Sequence, residues 1–272
     1  MTGHRKSEYP MHQDAMDTGN AGTLFGVGVG PGSPDLMTLR AVEVLKRVAH
    51  VLAPSTSLES PGRAELTVRA IIPGISVERF AFPMSTTIET AVEHRADGKP
   101  TADRQPMEQV YSDVAQVITE YTANCKDVAF ITIGDPDIYS TFTRLRQRVL
   151  EIRPDCTVET IPGICAFQEL AARTNTTLSA GDEQLTIIAH LRNADALSTA
   201  LSDAHQSVVV YKGGTRLPEI ASAVEKAGRT HGSVLGVHLG QEGEYICGID
   251  EAPPQPTPYL STLIVPPVRG RE

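Results

Sequence analysis

A chain of 272 residues, 40% hydrophobic and 21% charged, with 22 Gly and 19 Pro, can bury a substantial core and is long enough for two domains of about 100–150 residues. The formal net charge of −9 is spread over both halves, no Lys/Arg run occurs, aromatics are 5% and Trp is absent. That balance disfavours a nucleic-acid binder, which needs a basic stripe or a stacking platform. No apolar run approaches the ~18 residues of a membrane span, and the first twenty residues lack the apolar stretch of a secretory signal, so a cytoplasmic setting is expected.

Residues 1–22 carry no apolar period and are expected to form a disordered leader. Residues 23–27 read as a short strand ending in glycines. Apolar spacing at Leu36, Leu39, Val42, Leu45 and Val48 predicts a helix over 36–49, and 50–54 a second strand stopped by Pro54. Residues 66–72 read as helical and 76–82 as extended. From 84 to 109 the chain turns polar, which predicts an inserted, mobile surface segment, with a helix over 107–123 at its end. The apolar run 128–133 suits a strand buried on both faces of a parallel sheet. This alternation predicts an N-terminal α/β domain over 23–155, doubly wound around a parallel sheet. In the second half, 156–268, strands are expected at 158–161, 185–189, 208–211, 234–239 and 259–265, and helices near 166–173 and 217–227. Several of these strands can pair antiparallel, which predicts an α+β domain with a mixed sheet.

Three strand-to-helix loops carry the chemical information. The first is Gly26-Val27-Gly28-Val29-Gly30-Pro31-Gly32. No register supplies G-x-G-x-x-G, and no Lys-Ser/Thr follows for a phosphate loop, so the reading is a tight loop that brings a ligand close to backbone, against a plain turn. The second is Gly134-Asp135-Pro136-Asp137-Ile138-Tyr139-Ser140-Thr141. Here Asp135 fits a helix N-cap with Pro136 at the first helical position and Asp137 at the positive helix end. The same loop follows a central strand, where open α/β sheets bind ligands, and its carboxylate and amides suit a cofactor with hydroxyls and positive charge. Asp135 and Asp137 as an acid/base pair is a further reading. The third is Ile161-Pro162-Gly163-Ile164-Cys165-Ala166, where Cys165 is either a nucleophile at a helix start or a small residue allowing close approach. The cysteines (125, 156, 165, 247) form no CxxC, and His50, His190, His205 and His238 lack ligand spacing, so no metal site is expected.

The loops GVGVGPGSPDLMTLRA, AFITIGDPDIYSTF and ETIPGICAFQELAA, in this order, resemble the tetrapyrrole (corrin/porphyrin) methylase family over about 23–267. Phe82-Pro83-Met84, Tyr139-Ser140-Thr141, Gly181-Asp182-Glu183-Gln184-Leu185 and Pro258-Tyr259-Leu260-Ser261-Thr262 resemble the branch that methylates carbon 20 of precorrin-2. The resemblance implies S-adenosylmethionine bound between two α/β domains, S-adenosylhomocysteine as product, a homodimer and no protein-bound metal. It places Gly30 and Pro31 beside the tetrapyrrole. Gly134, Asp135, Ile138, Ser140 and Thr141 fall in the main cofactor loop, with Cys165, Ala166, His190, Leu191 and Tyr211-Lys212 also at the cofactor. Three positions depart from the pattern: Cys165 replaces a hydroxyl residue, His190 stands where proline is common, and Tyr111 where Trp is common.

The implied acceptor, an electron-rich meso carbon, is itself the nucleophile, so no catalytic residue is nominated and alignment is the expected contribution. The implied substrate is a polycarboxylate, so the net charge of −9 requires local cations at the cleft. Arg40 and Arg144, and also Arg63 and Arg69, are candidates by their nearness to the loops. Alternative readings are a sibling methylase of another ring position, a diphthine synthase-like methyltransferase, and a non-catalytic nucleotide- or metabolite-binding protein.

Overall fold

The computed structural model describes residues 21–82, 104–189, 191 and 194–269. Most of the leader, most of the polar insertion and His190 lie outside these. The first sheet holds β1 (Leu24–Gly28), β2 (His50–Ser55), β3 (Glu78–Ala81), β4 (Val128–Thr132) and β5 (Val158–Ile161), all parallel in the order β3-β2-β4-β1-β5. Every residue of β1 and β4 is buried, as their unbroken apolar composition requires. On one face Phe25 and Val27 pack against α1 (Leu39–Arg47) and α2 (Arg63–Ile71). On the other, Leu24 and Phe130 pack against α3 (Arg104–Ala123) and α4 (Thr141–Ile152). Gly26 is required by this layer: a Cβ there would sit 2.1 Å from the Phe142 ring.

Three boundaries differ from the sequence expectation. The helix expected over 36–49 starts later, because Pro34–Leu36 form a 3-10 turn and Thr38 Oγ1 accepts from the Ala41 N–H at 3.2 Å, capping α1. Residues 104–109, expected in the polar insertion, are the first turns of α3; Met107, Tyr111, Val114 and Ile118 form one apolar stripe on the core, which extends the helix backwards. The strand 158–161, grouped by sequence with the second half, is the edge of the first sheet, paired in parallel with β1.

The second sheet is mixed, in the order β6-β7-β10-β8-β9: β6 (Gln184–Ile188), β7 (Gln206–Tyr211), β8 (Val234–Val237), β9 (Tyr245–Gly248) and β10 (Ser261–Val265). Only β6 and β7 are parallel; the other pairs run antiparallel. Alternate residues of β7 serve two cores. Val208 and Val210 face α6 (Ala194–Leu201) and α7 (Leu217–Lys226), while Val209 and Tyr211 face α5 (Ala166–Arg173). Among the described residues no helix is long and apolar enough to cross a membrane.

Two buried charges brace the fold. Glu65, fully buried on α2, accepts from Arg79 Nε (2.6 Å) and Nη2 (2.8 Å) and from Arg69 Nε (2.7 Å), which locks α2 to β3. Arg229 donates to the carbonyls of Leu201, Asp203, Gln206 and Pro266, gathering chain ends under the second sheet.

A candidate cofactor and substrate cleft

The chain leaves β1 for α1 on one face of the first sheet and leaves the adjacent β4 for α4 on the other. Adjacent strands whose connections part in this way open a crevice at their carboxyl ends. The three loops identified in the sequence converge there. Gly134 N–H donates to the Gly30 carbonyl at 2.7 Å, and a Cβ on Gly163 would lie 2.1 Å from the Gly134 carbonyl oxygen and 2.9 Å from Gly28. Gly30 and Gly134 have φ of 81° and 74°, values that favour glycine. The absent side chains thus serve loop-to-loop contact first: the space a Cβ would take at Gly28 and Gly163 is filled by protein backbone.

Asp135 does not cap a helix. Its Oδ1 accepts from the Asp137 N–H at 2.9 Å and its Oδ2 from the Gly163 N–H at 3.0 Å, so this carboxylate fastens the second loop to the third. The helix begins at Thr141, capped by Ser140, whose Oγ accepts from the Phe142 N–H and donates to Thr132 Oγ1. The start is delayed because Tyr139 takes φ 49°, which an α-helix does not admit. Asp137 pairs with Arg146 at 3.1 Å, so the two aspartates have separate partners and do not form an acid/base pair.

The second sheet closes the cleft. An open pocket there is lined by Pro31 and Gly134 from the first sheet's loops, Ala166 from α5, and Tyr211, Lys212 and Leu239 from the second sheet. Lys212 Nζ donates to the Tyr139 carbonyl at 2.7 Å and lies 5.0, 5.4 and 5.9 Å from the ring centres of Tyr139, Tyr211 and Tyr259. Tyr139, Lys212 and His238 all have positive φ, each an arrangement costing on the order of 1 kcal/mol that surrounding contacts must hold.

Electrostatics follow burial. Desolvation, and then the charge of Asp135, push the Cys165 thiol up to about 11 despite its place at the start of α5, so it is a protonated, buried N-cap residue and not a thiolate nucleophile. Gln168 Oε1 accepts from the Cys165 N–H at 2.8 Å. Tyr211 is likewise raised by desolvation, with Cys165 and Asp135 adding to it.

The remaining sequence-nominated residues divide clearly. Ile138 packs against the core beneath α5, and Thr141 is the first residue of α4. Leu191 is buried in the core on the α6/α7 side, and its carbonyl accepts from Arg216. His190 lies outside the described residues. Arg40 pairs with Glu159 at 3.3 Å, Arg69 with Glu65, and Arg144 with Glu108 while lying over the Tyr111 ring. These three cations are therefore engaged by carboxylates. Sequence reasoning missed Leu239 and Gln241 and set His238 aside; the run His238-Leu239-Gly240-Gln241, with positive φ at His238 and Gly240, is the signal that marks a shaped loop there.

The comparisons with known proteins agree with this architecture. A precorrin-2 C(20)-methyltransferase from Sinorhizobium sp is 28% identical over 251 residues, 92% of this chain and 97% of that protein. A cobalt-precorrin-2 C(20)-methyltransferase from Salmonella typhimurium is also 28% identical, covering 90% of this chain and 96% of that protein. Among solved structures, a putative cobalamin synthesis related protein (CobF) from Corynebacterium diphtheriae superposes with a TM-score of 0.61 at 18% identity, over 90% of this chain and 98% of that one. The family model for tetrapyrrole (corrin/porphyrin) methylases matches residues 23–250, and the chain belongs to that family.

Proposed function

We propose that this protein transfers a methyl group from S-adenosylmethionine to carbon 20 of precorrin-2 or its cobalt form, a step of cobalamin biosynthesis. The observation that carries the reading is the convergence of the three family loops on one cleft, together with 28% identity over most of the chain to two enzymes of that name. The donor's sulfonium supplies an already activated methyl group, and the protein need only align it with the acceptor carbon, which then loses its proton.

The cleft's chemistry fits such a donor. Gly134 and Ala166 leave its walls small, and Tyr211 and Leu239 supply apolar surface. In this reading Gly134, Asp135, Ile138, Ser140 and Thr141 shape the donor loop. Cys165 and Ala166 offer backbone contact, and Lys212, held by Tyr139, bounds the far side. Pro31 and Gly30 face the tetrapyrrole. The protein's two domains, divided after Ile161, bound this cleft, and a homodimer completes the proposal: Leu185 and Ile187 on the edge strand β6 are exposed apolar residues suited to association.

Titration calorimetry and a transfer assay test the reading together. S-adenosylhomocysteine is expected to bind, and precorrin-2 to gain one methyl per S-adenosylhomocysteine formed. Tight ATP binding with no S-adenosylhomocysteine binding would instead assign the cleft to a non-catalytic nucleotide binder.

A further inference from the structure

Arg63 stands apart from the other arginines near the loops. It opens α2, a helix docked on the first loop through Thr67 Oγ1, which donates to the Gly32 carbonyl at 3.2 Å. Its guanidinium reaches across to the second sheet, where Nη2 meets His238 Nε2 at 3.1 Å and Nη1 donates to Gln241 Oε1. Gln241 Nε2 in turn donates to the Pro31 carbonyl at 3.2 Å. His238 and Gln241 both line the cavity, so the guanidinium sits at its edge.

All of these partners are neutral. Burial, then the Arg63 charge, hold His238 below its ordinary range, so the imidazole is uncharged at neutral pH and accepts from Arg63 at Nε2. Among the described residues no carboxylate bonds Arg63, and only burial acts on its acidity, whereas Arg40, Arg69 and Arg144 each have a carboxylate. A half-buried guanidinium beside a cleft, in a chain with net charge −9, carries an uncompensated positive charge. Two of its five N–H donors are occupied by Gln241 and His238, which fix its plane and leave the others for a bidentate oxyanion.

Resting on the tetrapyrrole reading above, we infer that Arg63, held by Gln241 and His238, is a carboxylate subsite that receives one acidic side chain of the tetrapyrrole and sets the ring's position in the cleft. Arg63 is the binding group, and His238 and Gln241 are positioning residues.

The test compares Arg63→Met and Arg63→Lys with the wild-type protein, measuring KM and kcat for precorrin-2, affinity for S-adenosylhomocysteine, and melting temperature. Arg63→Met is expected to raise KM about tenfold or more while S-adenosylhomocysteine affinity holds, because a contact made equally in ground and transition states acts on KM. Arg63→Lys keeps the charge but loses the bidentate fork and cannot meet Gln241 and His238 together, so a charge subsite is partly rescued by it and a mere brace is not. A KM within twofold of wild type in Arg63→Met, or Lys as damaging as Met with a matching loss of melting temperature, would overturn the subsite. If Arg63→Met does not fold, the KM of Arg63→Lys decides between the two. A wild-type protein that neither binds S-adenosylhomocysteine nor transfers methyl would refute the underlying reading instead.

Discussion

The carboxylate of Asp135 accepts the Gly163 N–H at 3.0 Å, joining two loops that follow different strands of the first sheet. With its second oxygen on the Asp137 N–H, the side chain holds the geometry of the loop that follows β4. Asp135→Asn keeps one acceptor and presents an amide to an N–H donor at the other. The expected result is a loss of about 1–3 kcal/mol in stability and about a tenfold loss of S-adenosylhomocysteine affinity, read by urea unfolding and calorimetry. Unchanged values for both would show that the loops hold without this bond.

Gly163→Ala tests the contact between loops from the other side. The new Cβ would lie 2.1 Å from the Gly134 carbonyl, and backbone cannot yield as a flexible side chain does. A destabilisation of about 1–3 kcal/mol is expected, with cofactor affinity falling in parallel because the loops must part. A variant as stable as wild type would mean that the three loops move independently.

Sequence alone made the first sheet, the three loops and the family resemblance legible, because Val128–Thr132 is unbroken apolar chain and each loop is punctuated by glycine. It misplaced Asp135, since Asp-Pro reads locally as a cap, while the positive φ of Tyr139 that delays the helix is set by Lys212 and distant packing. The strand Tyr245–Gly248 and helix Ala194–Leu201 went unread, being short and held by the second sheet's core rather than by local pattern. The arginines illustrate the same limit. Arg40 and Arg144 are neutralised by Glu159 and Glu108, 119 and 36 residues away, whereas the fold brings neutral Gln241 and His238 to Arg63, which bonds no carboxylate among the described residues.

Glu169 should give the protein an inverse pH signature. It is buried against Ser33, one carboxylate oxygen has no hydrogen-bond partner among the described residues, and desolvation raises its pKa, opposed by Arg173 and aided by Glu244. A raised folded pKa means the native state holds the proton longer than the unfolded chain. Its contribution is therefore full below the unfolded value near 4.5 and is lost as pH rises through the raised folded value. Glu169→Gln removes that dependence. Urea unfolding from pH 4 upward should show the variant gaining on wild type as the pH rises. A constant difference across the range would contradict the raised pKa.

Cys165 should be chemically quiet. With its thiol pushed up to about 11 and its side chain buried, alkylation at pH 8 followed by mass spectrometry should mark the exposed Cys125 well before Cys165. Cys165→Ser, a better N-cap, is expected to retain methyl transfer. Rapid labelling of Cys165, or loss of turnover in the serine variant, would restore a reactive role for the thiol.

The carbon that receives the methyl defines the proposed reaction. Incubating the protein with precorrin-2 and S-adenosylmethionine carrying a 13C-methyl group, then recording the product's carbon NMR spectrum, tests it directly. One enriched methyl resonance is expected, with its methyl protons correlated to carbon 20. Enrichment at any other ring carbon would contradict it and assign the protein to a different step of the same family.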